Sequence, residues 1–198
     1  MPVNLQLSFH TLNKNYNDLV KIEDRYYRNR QRVTYRDFGN WNKYILELTR
    51  LLHNYLASYS SFVDCMRTAR KALDSTEFQE EFEQQLKDKH IEERTRFIKD
   101  LRNFSQHKQL PIVSFRLSMI YLKGNESVEP DQILKDSPSL RVDELLKWKN
   151  WTSLSKDFLA EQPSNELAIM PLITECQKAE SEIYEWILQK IIERSKIQ

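Results

Sequence analysis

Glycine is almost missing from this chain: Gly39 and Gly124 are the only two in 198 residues. A loop that wraps backbone amides around a phosphate needs several glycines in close succession, so P-loop and dinucleotide-binding architectures are excluded. The Gly-x-Ser-x-Gly turn of serine hydrolases is excluded with them. Cysteine is equally scarce, and Cys65 and Cys176 form neither a disulfide framework nor a zinc-ligand pattern, which suits a reducing cytosol. Long apolar runs are missing too. No stretch approaches the length of about 18 residues that marks a membrane span. The start, Met1-Pro2-Val3-Asn4-Leu5-Gln6-Leu7-Ser8, lacks the basic and apolar segments of a secretion signal. A soluble, cytoplasmic chain without membrane contact is expected. Charge of one sign is not in excess either. Thirty basic and 29 acidic residues leave a net charge of +1, so any surface for nucleic acid must be local.

What is present argues for a packed core. Hydrophobic residues make up 40% of the chain and aromatics 11%, enough for one mainly α domain over residues 1–198. Trp41, Tyr44, Ile45, Leu48, Leu51, Leu52, Tyr55, Leu56, Tyr59, Phe62, Val63 and Met66 recur at helical spacing and predict one long helix to Leu73. Gly39 separates it from an earlier helix over roughly residues 13–35. A third helical region covers 76–109, with a break expected in the charged stretch 87–96. Pro111 disfavours the helical region for Leu110 and would clash with the His107 carbonyl, so that helix should stop within a turn of His107.

Val113, Phe115, Leu117, Met119 and Tyr121 then alternate with mostly polar residues and predict a strand. A turn at 123–127 and a poorer edge strand at 128–134 complete a small hairpin over about 112–134. Helical spacing returns over 140–160, where Trp148 and Trp151 read as core or dimer contacts. A last helix follows, its first turn marked by Pro171. The core helices are thus expected over 41–110 and 140–197.

The stretch with the most chemical content is Leu101-Arg102-Asn103-Phe104-Ser105-Gln106-His107. Arg holds phosphate oxygens through a planar fork of donors, while His donates or accepts a proton near neutral pH. RNA hydrolysis without a metal needs those two types: a group to move protons at the 2'-hydroxyl and the departing 5'-oxygen, and a cation for the phosphorane. With 14 Arg, 12 Asn and four His in the chain, an Arg-Asn-x3-His arises by chance in about 2% of such sequences. On an ideal helix Arg102 and His107 diverge by about 140°, whereas Asn103 and His107 share a face within about 40°.

At these residues the chain resembles the HEPN superfamily of helical nucleotide-binding and ribonuclease domains, whose signature is Arg, a polar residue, and His four to six positions after the Arg. The segments 53–58 and 145–151 are similar to companions of that motif in bacterial HEPN-like proteins. The resemblance covers roughly residues 40–110. It implies a HEPN-like helical bundle acting as a metal-independent endoribonuclease that leaves 2',3'-cyclic phosphate ends, in a toxin or antiphage setting, with Arg102, Asn103 and His107 as catalytic residues. It also implies a homodimer that lines one cleft with two copies of the motif, and a cognate antitoxin or regulatory protein as partner. No cofactor or metal is expected. The alternative is a non-catalytic HEPN-like module that holds a nucleotide or a protein. HEPN toxins paired with nucleotidyltransferases often carry Tyr two residues after the His. Here that residue is Gln109, which speaks against regulation through that tyrosine.

Residues 25–36 hold five Arg, three Tyr and no acid. On a helix, Arg25, Arg28, Arg32 and Arg36 form one cationic stripe, either an RNA-contact surface with tyrosines stacked on bases or a solvated face paired with the acidic stretch 77–93. Asn54 lies in an otherwise apolar part of the long helix. It serves either as a support for Arg102 or Asn103 or as a plain structural hydrogen-bonding group.

Overall fold

The computed structural model describes residues 3–30, 38–73, 76–88, 92–110, 113–114 and 138–195. Seven helices and three short strands make up the described residues: α1 (Val3–Arg30), α2 (Phe38–Ala72), α3 (Thr76–Asp88), α4 (Glu92–His107), β1 (Val113–Ser114), β2 (Ser139–Arg141), α5 (Val142–Leu146), α6 (Ser153–Ala160), β3 (Glu166–Ala168) and α7 (Ile169–Ser195). The architecture is mainly α, as expected, with a small sheet beside the helices.

Each long helix buries one stripe. Leu5, Leu12, Leu19 and Ile22 of α1 face Leu48, Leu52, Tyr55, Tyr59 and Phe62 of α2, all within one core. The contacts run in opposite chain directions: Phe9 meets Phe62 with ring centroids 5.4 Å apart, Asn15 Nδ2 donates to the Asn54 carbonyl at 3.2 Å, and Tyr26 stacks on Tyr44 at 4.6 Å. α1 and α2 are therefore an antiparallel pair. α7 packs along both, with Phe9 stacked on Tyr184 at 3.7 Å and the Tyr59 hydroxyl donating to Glu180 at 2.6 Å. α3 closes the far end of α7, where Phe78 stacks on Trp186 at 5.1 Å.

α4 buries Phe97, Ile98, Leu101 and Phe104, the i, i+1, i+4, i+7 pattern of an amphipathic helix. Its partner is a cluster formed by Trp148, Trp151 and Phe158, with Phe97 stacked on Trp151 at 5.5 Å and Phe104 on Trp151 at 5.6 Å. The buried Asp100 carboxylate ties the same face to the start of α6, accepting from the Thr152 hydroxyl at 2.6 Å and the Ser155 hydroxyl at 2.8 Å.

A small antiparallel sheet accompanies the helices, as expected, and among the described residues its strand order is β1-β2-β3. β1 pairs antiparallel with β2, Val113 opposite Leu140, and β2 pairs antiparallel with β3, Leu140 opposite Leu167. Residues 140–141, expected to open a helix, lie in the strand β2 instead. The predicted helix over 140–160 is replaced by β2, the short α5, a non-helical link carrying both tryptophans, and α6. Trp148 and Trp151 meet edge to face at 4.8 Å, and the Trp151 Nε1–H donates to the Leu145 carbonyl at 2.7 Å, a satisfied indole that favours the link over a regular helix. The proposed return strand at 128–134 lies outside the described residues. α1 begins at Val3, ten residues before the expected start, and Gly39 falls in the first turn of α2. α4 stops at His107, as the Pro111 argument requires.

Candidate functional site

Because Phe97, Ile98, Leu101 and Phe104 turn inward, Thr95, Arg96, Lys99, Arg102 and Asn103 are left on the other side of α4. On α2 the same logic leaves Val63, Asp64, Arg67 and Arg70 beside the buried Tyr59 and Met66. The two helices, with α3, α7 and the start of α6, enclose a groove of about 990 Å³. Its lining holds five cations, Arg67, Arg70, Arg96, Lys99 and Arg102, against three carboxylates, Asp64, Glu83 and Glu180. A near-neutral protein thus concentrates positive charge in one concavity, where low-dielectric walls focus the field.

The cations differ in how they are compensated. Arg67 pairs with Asp64 at 3.3 Å. Arg96 shares the Thr152 hydroxyl at 3.4 Å and the Asp100 carboxylate at 3.9 Å. The Arg70 guanidinium lies 5.0 Å over the Phe82 ring. Among the described residues the Arg102 guanidinium hydrogen-bonds only its neighbour, Nη1 donating to Asn103 Oδ1 at 3.3 Å, and its buried Nε has no hydrogen-bond partner. Such a donor is costly to leave unfilled. An oxyanion in the groove would meet an arginine whose fork is half-buried and not committed to a carboxylate.

Glu180 lines the groove from α7 and is only 5% exposed. Burial pushes its carboxyl up to about 7, against the opposing hydrogen bonds from Tyr59 and Thr95. Burial holds the Tyr59 phenol well above its ordinary range, and the nearby Glu180 adds to that.

The expected site residues are partly brought together. Arg102 and Asn103 both line the groove, whereas His107 is exposed at the end of α4 and does not. Asn54 is half-buried on α2 outside the groove lining, its carbonyl bonded to Asn15 of α1. Arg25 is exposed near the end of α1, where its charge, after a larger effect from Arg50, helps hold the Glu47 carboxyl low. The Arg28 side chain and all of Arg32 and Arg36 lie outside the described residues. Sequence reasoning missed Arg67, Arg70, Arg96, Lys99, Tyr59 and Glu180. A signal existed for most of them: Arg67 and Arg70 are three apart, Arg96, Lys99 and Arg102 recur every three residues, and Glu180 is a lone acid in the apolar stripe of α7.

Among the described residues no group of three His, Cys, Asp or Glu side chains is arranged to hold a metal ion, and no helix is long and apolar enough to cross a membrane. No protein-family model, curated protein or solved structure matches the chain.

Proposed function

We propose that this chain binds RNA along the cationic groove and cleaves it without a metal ion, as a homodimeric endoribonuclease of HEPN type. The observation that carries the reading is Arg102, which belongs to the Arg-Asn-x3-His motif and also lines the groove with a buried Nε that has no partner among the described residues. Lys99, one turn before it, lines the same groove. Together they supply cations for successive phosphates. In the reaction the 2'-oxygen attacks phosphorus as its proton passes to a base. The bond to the 5'-oxygen then breaks, and that oxygen takes a proton, leaving a 2',3'-cyclic phosphate. Arg102 stabilises the charged phosphorane, and His107 moves the protons. Exposed at the helix end and turned about 140° from Arg102, His107 reaches the substrate best from a second protomer. The biological setting implied by the motif, a toxin or antiphage effector restrained by a cognate antitoxin or regulator, belongs to the same proposal.

A second reading, a non-catalytic module that holds RNA or a nucleotide, is favoured by the place of His107 outside the groove of its own chain. Incubation with mixed RNA in a chelator, beside Arg102→Ala and His107→Ala, separates the two. The nuclease reading expects cyclic phosphate ends and about a hundredfold or greater loss of rate in either variant. Equal cleavage by all three proteins overturns it as contamination, and binding without cleavage by the unaltered protein selects the second reading.

A further inference from the structure

Three kinds of group surround Glu180. From α2 come the Tyr55 and Tyr59 phenols, both held well above their ordinary range by burial and therefore neutral. On its own helix the Cys176 thiol is pushed up to about 12 by burial, and Glu175 is drawn outward by Arg94 at 3.2 Å. From α4 and α2 come Thr95 and the groove cations, while Glu83 and Asp64 line the groove as exposed acids. Of the groove carboxyls only Glu180 is buried, so it alone adds an internal negative charge that water does not screen.

A phosphodiester carries its negative charge throughout the neutral range. Seated against Lys99 and Arg102, it would share this cavity with the Glu180 carboxyl. Two like charges in one poorly solvated site oppose each other, and the titratable one responds by holding its proton more tightly. Linkage is reciprocal: whatever makes the anion favour protonated Glu180 makes protonated Glu180 favour the anion.

We propose that the groove takes up a phosphodiester anion together with one proton on Glu180, so that this carboxyl sets the pH range over which the groove binds its ligand. The proposal rests on the RNA reading for the identity of the ligand. The geometry behind it is independent of that reading: a buried, hydrogen-bonded acid in the wall of a cavity rimmed by cations, three of which, Arg70, Lys99 and Arg102, make no ion pair among the described residues. The Tyr59 hydroxyl, 2.6 Å from Glu180, orients the carboxyl in either state.

The test uses a single-stranded 2'-O-methyl RNA without terminal phosphate, which cannot be cleaved and does not titrate. Its affinity is measured by fluorescence anisotropy at constant ionic strength for the unaltered protein, Glu180→Gln and Glu23→Gln, the last removing a second carboxyl pushed up to about 7 that does not line the groove. From about pH 6 to about pH 8 the unaltered protein should lose about five- to tenfold in affinity, as a single proton linkage allows. Glu23→Gln should keep this slope. Glu180→Gln should lose most of it and bind at the higher pH nearly as tightly as the unaltered protein does at the lower. A slope that survives undiminished in Glu180→Gln, or that vanishes in Glu23→Gln, overturns the proposal. In parallel, the side-chain carboxyl of Glu180 is followed by carbon NMR, assigned by its loss in Glu180→Gln, with and without inorganic sulfate. An upward shift of its titration with sulfate supports the coupling even where RNA fails to bind, an outcome that would sink the RNA reading alone. A titration that ignores both sulfate and RNA overturns the coupling.

Discussion

Replacing Glu180 with Gln should reverse sign in its effect on stability as pH rises. The native carboxyl titrates at about 7 against an ordinary value of 4.5. Below the ordinary value, native and unfolded chains are both protonated and burial carries no charge penalty. Between the two values the unfolded chain ionises while the native chain keeps its proton. The unfolded state therefore binds fewer protons, and stability falls as pH rises. Above the native value the loss is complete. At about 1.4 kcal/mol per unit, the displacement corresponds to about 3 kcal/mol. Gln has nearly the same shape, accepts from the Tyr59 hydroxyl and never ionises. At about pH 5 the variant should match or fall slightly below the unaltered protein, and near pH 8.5 it should be more stable by about 2–3 kcal/mol. Glu23, pushed up to about 7 by burial and by Asp24, works in the same direction but is present in both proteins and cancels in the comparison. Urea unfolding followed by far-UV circular dichroism at several pH values measures the difference. A stability difference that does not change with pH would refute the reasoning and mean that Glu180 is already ionised, or solvated, throughout the range.

Two further outcomes follow from the groove and its walls. Asp100→Ala strands the Thr152 and Ser155 hydroxyls at the α4–α6 contact and should cost about 2–4 kcal/mol, read as a fall of about 5–15 °C in thermal unfolding, with part of the loss recovered in Asp100→Asn. Lys99→Ala should lower the slope of log affinity for single-stranded RNA against log salt by about 0.7, because one phosphate contact and its released counterion are lost. Arg67→Ala should lower it less, since Asp64 already occupies that guanidinium at 3.3 Å. Equal changes in the two variants would mean that the ligand does not distinguish paired from unpaired cations.

Where a structural feature depends on neighbours within a few residues, it was legible in the sequence. The long α2, the end of α4 at His107, the Pro171 start of α7 and the mainly α class rest on helical periodicity and on proline's missing N–H, both of which act locally. Arg102 and Asn103 stood out for the same reason, as a spacing within one helix. Of the sheet, the alternation from Val113 marked β1, whereas β2 and β3 did not stand out, because strands of three residues carry no readable period and the pairing joins Val113, Leu140 and Leu167 from distant parts of the chain. Trp148 and Trp151 misled for a related reason: a spacing of three fits a helix, but the indole bond to the Leu145 carbonyl and the stacking on Phe97 and Phe104 hold them in a link. The groove lies furthest from the sequence. Its buried acid and the tyrosine that orients it are 121 residues apart, and its cations come from two helices, α2 and α4. Local spacing determined which side chains each helix leaves outside the core. Only the packing of α2, α4 and α7 against one another decided that those left-over charges face a single cavity, because which helix faces meet depends on how side chains far apart in the chain fit together.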